Sequence, residues 1–268
     1  MDHSFSGWKM KTCDLTRVWS EEFKVHSYEM GPSGFASPQT ICQFLQEAAN
    51  NHAEKLGYSF EELDRLEQMW VLSQMSLRMA RYPRGRETVQ IETWPVSKQS
   101  NIRGYRDFTL LNSTGEILGR ASTMWLLLKQ DNRKPLKLPE ELLDLCSLGH
   151  SYDFLNPPKD SNFEDSPETV QEFVIRASDI DWNMHVNNVC YLEWSLEAIP
   201  AIFRLKNKLT ELDMSFLGEG KYGSSVLAEC FKPAEQYHLY LHRIKDKSSG
   251  KILAQLRTRW EPKQVQQD

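Results

Sequence analysis

Apolar residues recur every three or four positions in two stretches of the chain and every second position through much of the rest. Ile41, Leu45, Ala48, His52 and Leu56 share one face of a helix of about five turns, beginning near Ser37-Pro38, where proline suits the first helical position. Val189, Leu192, Leu196 and Ile199 repeat that spacing, with Asn187 and Asn188 available as caps. Strand-like alternation follows each helix. It is broken by turn signals at Tyr82-Pro-Arg-Gly85, Asn112-Ser-Thr-Gly115, Lys221-Tyr-Gly223 and Lys247-Ser-Ser-Gly250. One long helix ahead of several antiparallel strands predicts an α+β unit, the helix packed on one face of its sheet.

The pattern occurs twice. Gly115-Glu-Ile117-Leu118 leads to Thr123-Met-Trp125, and Gly250-Lys-Ile252-Leu253 leads at the same spacing to Thr258-Arg-Trp260. Upstream, Val89-Gln-Ile-Glu92-Thr-Trp94 resembles Val226-Leu-Ala-Glu229-Cys-Phe231. The reading is a first unit over residues 1–130, a Pro-, Asp- and Lys-rich connection over 131–170 with a short helix in Pro139–Leu148, and a second unit over 171–268. A single such unit leaves strand edges open, so two copies are expected to pair edge to edge and form a crevice between them.

Composition narrows the classes. With 40% hydrophobic and 11% aromatic residues the 268-residue chain can bury a core, and a net charge of −5 disfavours a general nucleic-acid binder. The longest apolar run, at Trp125-Leu-Leu-Leu128, is far too short for a membrane span, and Met1 to Leu15 lacks a signal-like apolar stretch, so a cytoplasmic protein is expected. Cys13, Cys42, Cys146, Cys190 and Cys230 are scattered and odd in number, which predicts neither disulfides nor a structural zinc. His238 and His242 lie in a strand-like run, where residues four apart are about 13 Å from each other, and read as ordinary strand histidines.

Candidate chemistry concentrates before the second helix. Asp181, Asn183 and His185 alternate, and in extended backbone they would share one surface beside a helix N-terminus, suited to an oxygen gaining negative charge. Superposing Phe44-Leu45 on Tyr191-Leu192 places Gly34, Ala36 and Pro38 opposite the triplet, so the first copy has no counterpart to it. The missing Gly and the histidine make a calcium loop a poor alternative.

Asp181-Trp-Asn-Met-His-Val-Asn-Asn188 followed by Tyr191 resembles the signature of acyl-acyl carrier protein (acyl-ACP) thioesterases. Tyr28-Glu29, Leu45-Gln-Glu-Ala48, Asn51-His52, Tyr82-Pro83, Glu92-Thr-Trp94 and Arg120-Ala-Ser-Thr-Met-Trp125 extend the likeness into the first half. The resemblance implies a double hotdog fold and hydrolysis of fatty acyl-ACP to free fatty acid, with no cofactor and no metal. It carries the catalytic roles onto Asp181, Asn183 and His185, and through Glu211-Leu-Asp-Met-Ser-Phe-Leu-Gly-Glu219 onto Glu219. Where plant members often carry Cys after that Glu, this chain has Gly220.

Glu219 is expected to act as general base on a water, although His185 oriented by Asp181 fits that role equally at this level. Met69, Trp70, Leu72, Met75 and Met79 are expected to lie near the acyl chain. Arg78, Arg81, Arg84, Arg86, Lys98, Arg103 and Arg106 form a basic stretch that would attract an acidic carrier protein, unless Glu87, Glu92 and Asp107 pair with it. A homodimer of such pseudo-dimers is compatible with these features. The competing readings are another hotdog enzyme, a coenzyme A thioesterase or acyl dehydratase, and a non-catalytic acyl-binding module.

Overall fold

The computed structural model describes residues 18–98, 100–145, 151–163, 166–182, 184–233 and 236–263. Its first half contains β1 (Trp19–Lys24), α1 (Pro38–Lys55), α2 (Phe60–Arg65), β2 (Gln68–Met79), β3 (Thr88–Val96), β4 (Gly104–Asn112) and β5 (Ile117–Lys129). After α3 (Glu140–Leu145) in the connection, the second half contains β6 (Thr169–Val174), α4 (Asn188–Glu197), α5 (Ala201–Lys206), β7 (Asn207–Phe216), β8 (Ser225–Phe231), β9 (Leu239–Asp246) and β10 (Ile252–Pro262). None of the described helices is long and apolar enough to cross a membrane.

All ten strands pair antiparallel in one sheet, in the order β1-β3-β4-β5-β2-β7-β10-β9-β8-β6. The order reads as the same five-strand unit from either end. β2 and β7 form the seam, paired from Gln74↔Ser215 to Arg78↔Glu211. This is the double hotdog, with α1 and α4 packed against the sheet.

The 18 residues of α1 begin at Pro38, with Ser37 Oγ accepting the Thr40 N–H at 3.1 Å. Ile41, Leu45, Ala48 and His52 are fully buried. A fully buried Ile or Leu contributes about 1.5–3 kcal/mol. The repeated Thr-x-Trp makes the same bond in both halves, Trp125 Nε1 donating to Thr123 Oγ1 at 2.9 Å and Trp260 Nε1 to Thr258 Oγ1 at 3.0 Å.

The two halves correspond at one constant offset through the site region, and it is not the one expected. β1 starts at Trp19 and β6 at Thr169; the bridges Met30↔Ala36 and Ile180↔Val186 match; and α1 starts at Pro38 where α4 starts at Asn188. Gly31 and Phe35 therefore stand opposite Asp181 and His185, with Ser33 opposite Asn183 in the numbering. The superposition that set Gly34, Ala36 and Pro38 there is three residues out. A shift of about one turn leaves a helix's apolar stripe nearly in place, so the apolar pattern alone cannot choose between the two.

The connection crosses the sheet from one half to the other. Tyr152 N–H donates to Asp107 Oδ2 at 2.8 Å, Arg257 Nη2 donates to the Asn156 carbonyl at 2.9 Å, and Phe163 packs edge-to-face on Phe231.

Candidate active site

Asp181 and His185 meet because the chain turns, not because it is extended. The Asp181 N–H donates to the His185 carbonyl at 2.7 Å, the Met184 N–H to the Asp181 carbonyl at 3.0 Å, and Met184 takes φ +62°. The expected strand alternation is thus replaced by a closed loop under the Ile180↔Val186 bridge. Asp181 Oδ1 also accepts the His185 N–H at 3.1 Å, which ties its carboxylate to the placement of the histidine. Asn183 lies outside the described residues.

At the start of α4, the Val189 N–H donates to Asn187 Oδ1 at 3.0 Å and the Cys190 N–H to the Asn187 carbonyl at 2.9 Å. Those two amides serve the cap, so they do not point at a substrate as expected of the helix start.

Glu219 follows β7 in a segment held from two sides. The Leu217 and Gly218 N–H groups donate to the Leu253 carbonyl at 2.8 and 3.1 Å, and the Gly220 N–H donates to Tyr191 Oη at 3.1 Å. Burial pushes the Tyr191 hydroxyl up to about 12, so it stays protonated and can hold this backbone. A Cβ at Gly220 would stand 2.4 Å from Ile175 Cδ1, a fully buried side chain, which is why the residue after the glutamate is small here.

Glu219 Oε1 is 3.8 Å from His185 Nδ1. A third group, which the sequence did not disclose, completes the cluster: Arg133, from the turn after β5. Its Nη2 is 2.9 Å from His185 Nε2 and 3.4 Å from Glu219 Oε2, and its Nη1 is 3.4 Å from Glu219 Oε1. It carries no recognisable motif, and only the fold brings residues 133, 185 and 219 together.

His185 and Glu219 border a cavity of about 540 Å³, within the usual range for small-molecule sites. Asp181, His185, Tyr191 and Glu219 line its second-half side; Gln46, Asn50, Met69, Trp70 and Leu72 line its first-half side. Met75 and Met79 sit instead in the hydrophobic core. Trp70 and Trp125 also wall a smaller, mainly apolar cavity of about 110 Å³ inside the first half, between Ala53, Leu56 and Tyr105.

Cys190 is near the site but chemically quiet. Burial pushes its thiol up to about 12, with Asp179 and Glu193 adding to the effect, so the nucleophilic thiolate is scarce near neutral pH. No group of three or more potential metal ligands occurs among the described residues. Much of the basic stretch is committed internally. Arg78 binds Asp213, Arg81 binds Glu87, Lys98 binds Asp153, and Arg106 is buried against His52 and Thr93.

Known proteins share both halves. Residues 16–146 match the acyl-ACP thioesterase N-terminal domain and residues 163–262 its C-terminal domain. The chloroplastic acyl-(acyl-carrier-protein) hydrolase FATB2 of Cuphea viscosissima is 30% identical, over 92% of this chain and 63% of that protein. The chloroplastic oleoyl-acyl carrier protein thioesterase 1 of Arabidopsis thaliana is 34% identical, over 68% of this chain and 55% of its own length. The chain thus spans less than two thirds of these relatives. Among solved structures, the 12:0-ACP thioesterase from Umbellularia californica superposes with a TM-score of 0.79 at 25% identity, covering 95% of this chain and all of that one. Since the two domain models match in order along most of its length, the chain belongs to the acyl-ACP thioesterase family.

Proposed function

We propose that the protein hydrolyses the thioester joining a fatty acyl chain to acyl carrier protein, releasing free fatty acid. The observation that carries this reading is the Glu219–His185 pair on the wall of a cavity whose opposite side belongs to the other half and mixes polar residues, Gln46 and Asn50, with an apolar strip of Met69, Trp70 and Leu72. Glu219 takes a proton from a water as its oxygen bonds to the thioester carbonyl carbon. His185, kept in place by the Asp181 loop, faces Glu219 and helps hold that water. When the tetrahedral intermediate collapses, the C–S bond breaks and the proton passes to the departing thiolate. The acyl chain runs along Met69, Trp70 and Leu72 toward the smaller apolar cavity. To Asn183, which the family resemblance counts among the catalytic residues, we assign the polarising of the thioester carbonyl and the steadying of the oxyanion.

The test is hydrolysis of acyl chains of graded length on acyl carrier protein and on coenzyme A, with Glu219→Gln beside the wild type. Removing a general base lowers turnover by about 10²–10⁴-fold. The variant should lose activity on that scale while melting as the wild type does, and Cys190→Ser should lose little. Near-normal turnover by Glu219→Gln would sink the assignment. Tight acyl binding without turnover by the wild type would make the protein a binding module.

A further inference from the structure

We propose that Arg133 is a positioning residue of this site, selecting which nitrogen of His185 carries its proton and thereby leaving Glu219 as the base. The proposal rests on the thioesterase reading above. A guanidinium has only donors, so at 2.9 Å His185 Nε2 must be the acceptor. The imidazole is then neutral with its proton on Nδ1, the nitrogen facing Glu219 Oε1. With its one lone pair occupied, His185 cannot take a proton from water while Arg133 stays in place. A carboxylate has about four acceptor positions, so Glu219 keeps some of its own even with Arg133 near both oxygens.

The backbone supports a placed residue rather than a stray surface arginine. Arg133 has φ +57°, a left-handed conformation that costs a non-glycine residue about 1–2 kcal/mol and persists where its surroundings impose it. Those surroundings are a closed turn: the Arg133 N–H donates to the Lys129 carbonyl at 3.0 Å, the Lys129 N–H to the Lys134 carbonyl at 3.0 Å, and the Gln130 N–H to the Glu67 carbonyl at 2.8 Å. Arg133 Nη1 also reaches Met69 Sδ at 2.7 Å, which seats the fork against the cavity wall. On the far side of the site Met184 is likewise left-handed, so the loop carrying His185 and the turn carrying Arg133 are both held in strained backbone.

In the reaction the arginine forms and breaks no covalent bond. The proton leaves water for Glu219 and then passes to the leaving sulfur, while Nε2 stays engaged by the guanidinium.

The test compares Arg133→Ala and Arg133→Lys with the wild type on an acyl-ACP substrate, alongside the ¹⁵N spectrum of His185. Misplacing a reacting group by about 1 Å can cost 10²-fold. Arg133→Ala is therefore expected to lower kcat by roughly 10- to 100-fold with KM nearly unchanged. Added guanidinium ion at non-denaturing concentration should restore part of the loss, and Arg133→Lys should retain more activity than Arg133→Ala. The spectrum should show the Nδ1-protonated tautomer in the wild type and a shift toward Nε2 protonation in Arg133→Ala. An effect on KM alone, unchanged or raised kcat, or a tautomer indifferent to the substitution overturns the proposal. A wild type that hydrolyses no acyl thioester overturns the thioesterase reading instead, and the tautomer measurement, which needs no turnover, tells the two failures apart.

Discussion

His242 lies fully buried on β9, with Nε2 2.9 Å from Thr258 Oγ1 and Nδ1 without a hydrogen-bond partner among the described residues. Burial lowers its pKa from 6.5 to about 3, so it is neutral in the folded protein. The unfolded chain binds a proton here below pH 6.5 and the folded chain does not, so stability falls as pH drops from about 6.5 toward 3. At pH 5.5 the loss from this group is about 1.4 kcal/mol. Urea midpoints at pH 7.5 and 5.5 should therefore diverge more for the wild type than for His242→Gln. Equal losses in both would show that another group governs the acid limb. His185 differs in having a carboxylate and a guanidinium around it, and that difference was only half legible. The signature pointed to His185, and the resemblance pointed to Glu219. Arg133 could not be found, because a lone arginine in a polar connection looks like any solvated charge.

Among the elements, the two loops carrying His185 and Glu219 do most to define the site. The 181–185 loop closes through its own backbone, whereas the segment after β7 depends on neighbours, Leu253 on one side and Tyr191 on the other. Gly220 is tightly enclosed there. Adding a methyl to a well-packed site costs about 1–3 kcal/mol. Gly220→Ala should lower the unfolding midpoint accordingly and reduce kcat by displacing Glu219; an unchanged midpoint would mean that Ile175 gives way freely. The helices themselves were readable from their apolar stripes and caps. Their mutual register was not, since turn geometry and bridges chose the alignment that the stripe left ambiguous.

Across the whole molecule, a row of polar residues crosses the seam. Ser122 Oγ donates to Asp107 Oδ1 at 2.5 Å on one side. At the seam Asp213, 1% exposed, accepts from Ser76 Oγ at 2.6 Å and from Arg78 Nη2 and Arg257 Nη2 at 2.7 Å each. Arg78 belongs to the first half and Arg257 to the second, so one carboxylate joins both. Removing one member of a buried charged cluster costs about 3–5 kcal/mol. Because both arginines reach water, Asp213→Ala should lose about 2–4 kcal/mol in chemical denaturation. A loss near zero would show that the β2–β7 backbone pairing holds the seam unaided.

The amino-acid sequence by itself determined the duplicated α+β unit, the place of both helices, with Ile199 falling just past the end of α4, the Asn187 cap of the second, and the family. These are legible because periodicity, caps and turn residues act over a few neighbouring positions and leave their pattern in the chain. Only the tertiary structure decided the loop that brings Asp181 to His185, the correct register between the copies, the split of the expected apolar residues into cavity wall and core, and the arrival of Arg133 beside His185 and Glu219. The loop closes locally, but on a left-handed Met184 that apolar periodicity does not report. The split of the apolar residues and the arrival of Arg133 depend on contacts between residues far apart in sequence, through strand pairing and burial, and no local pattern encodes such a meeting.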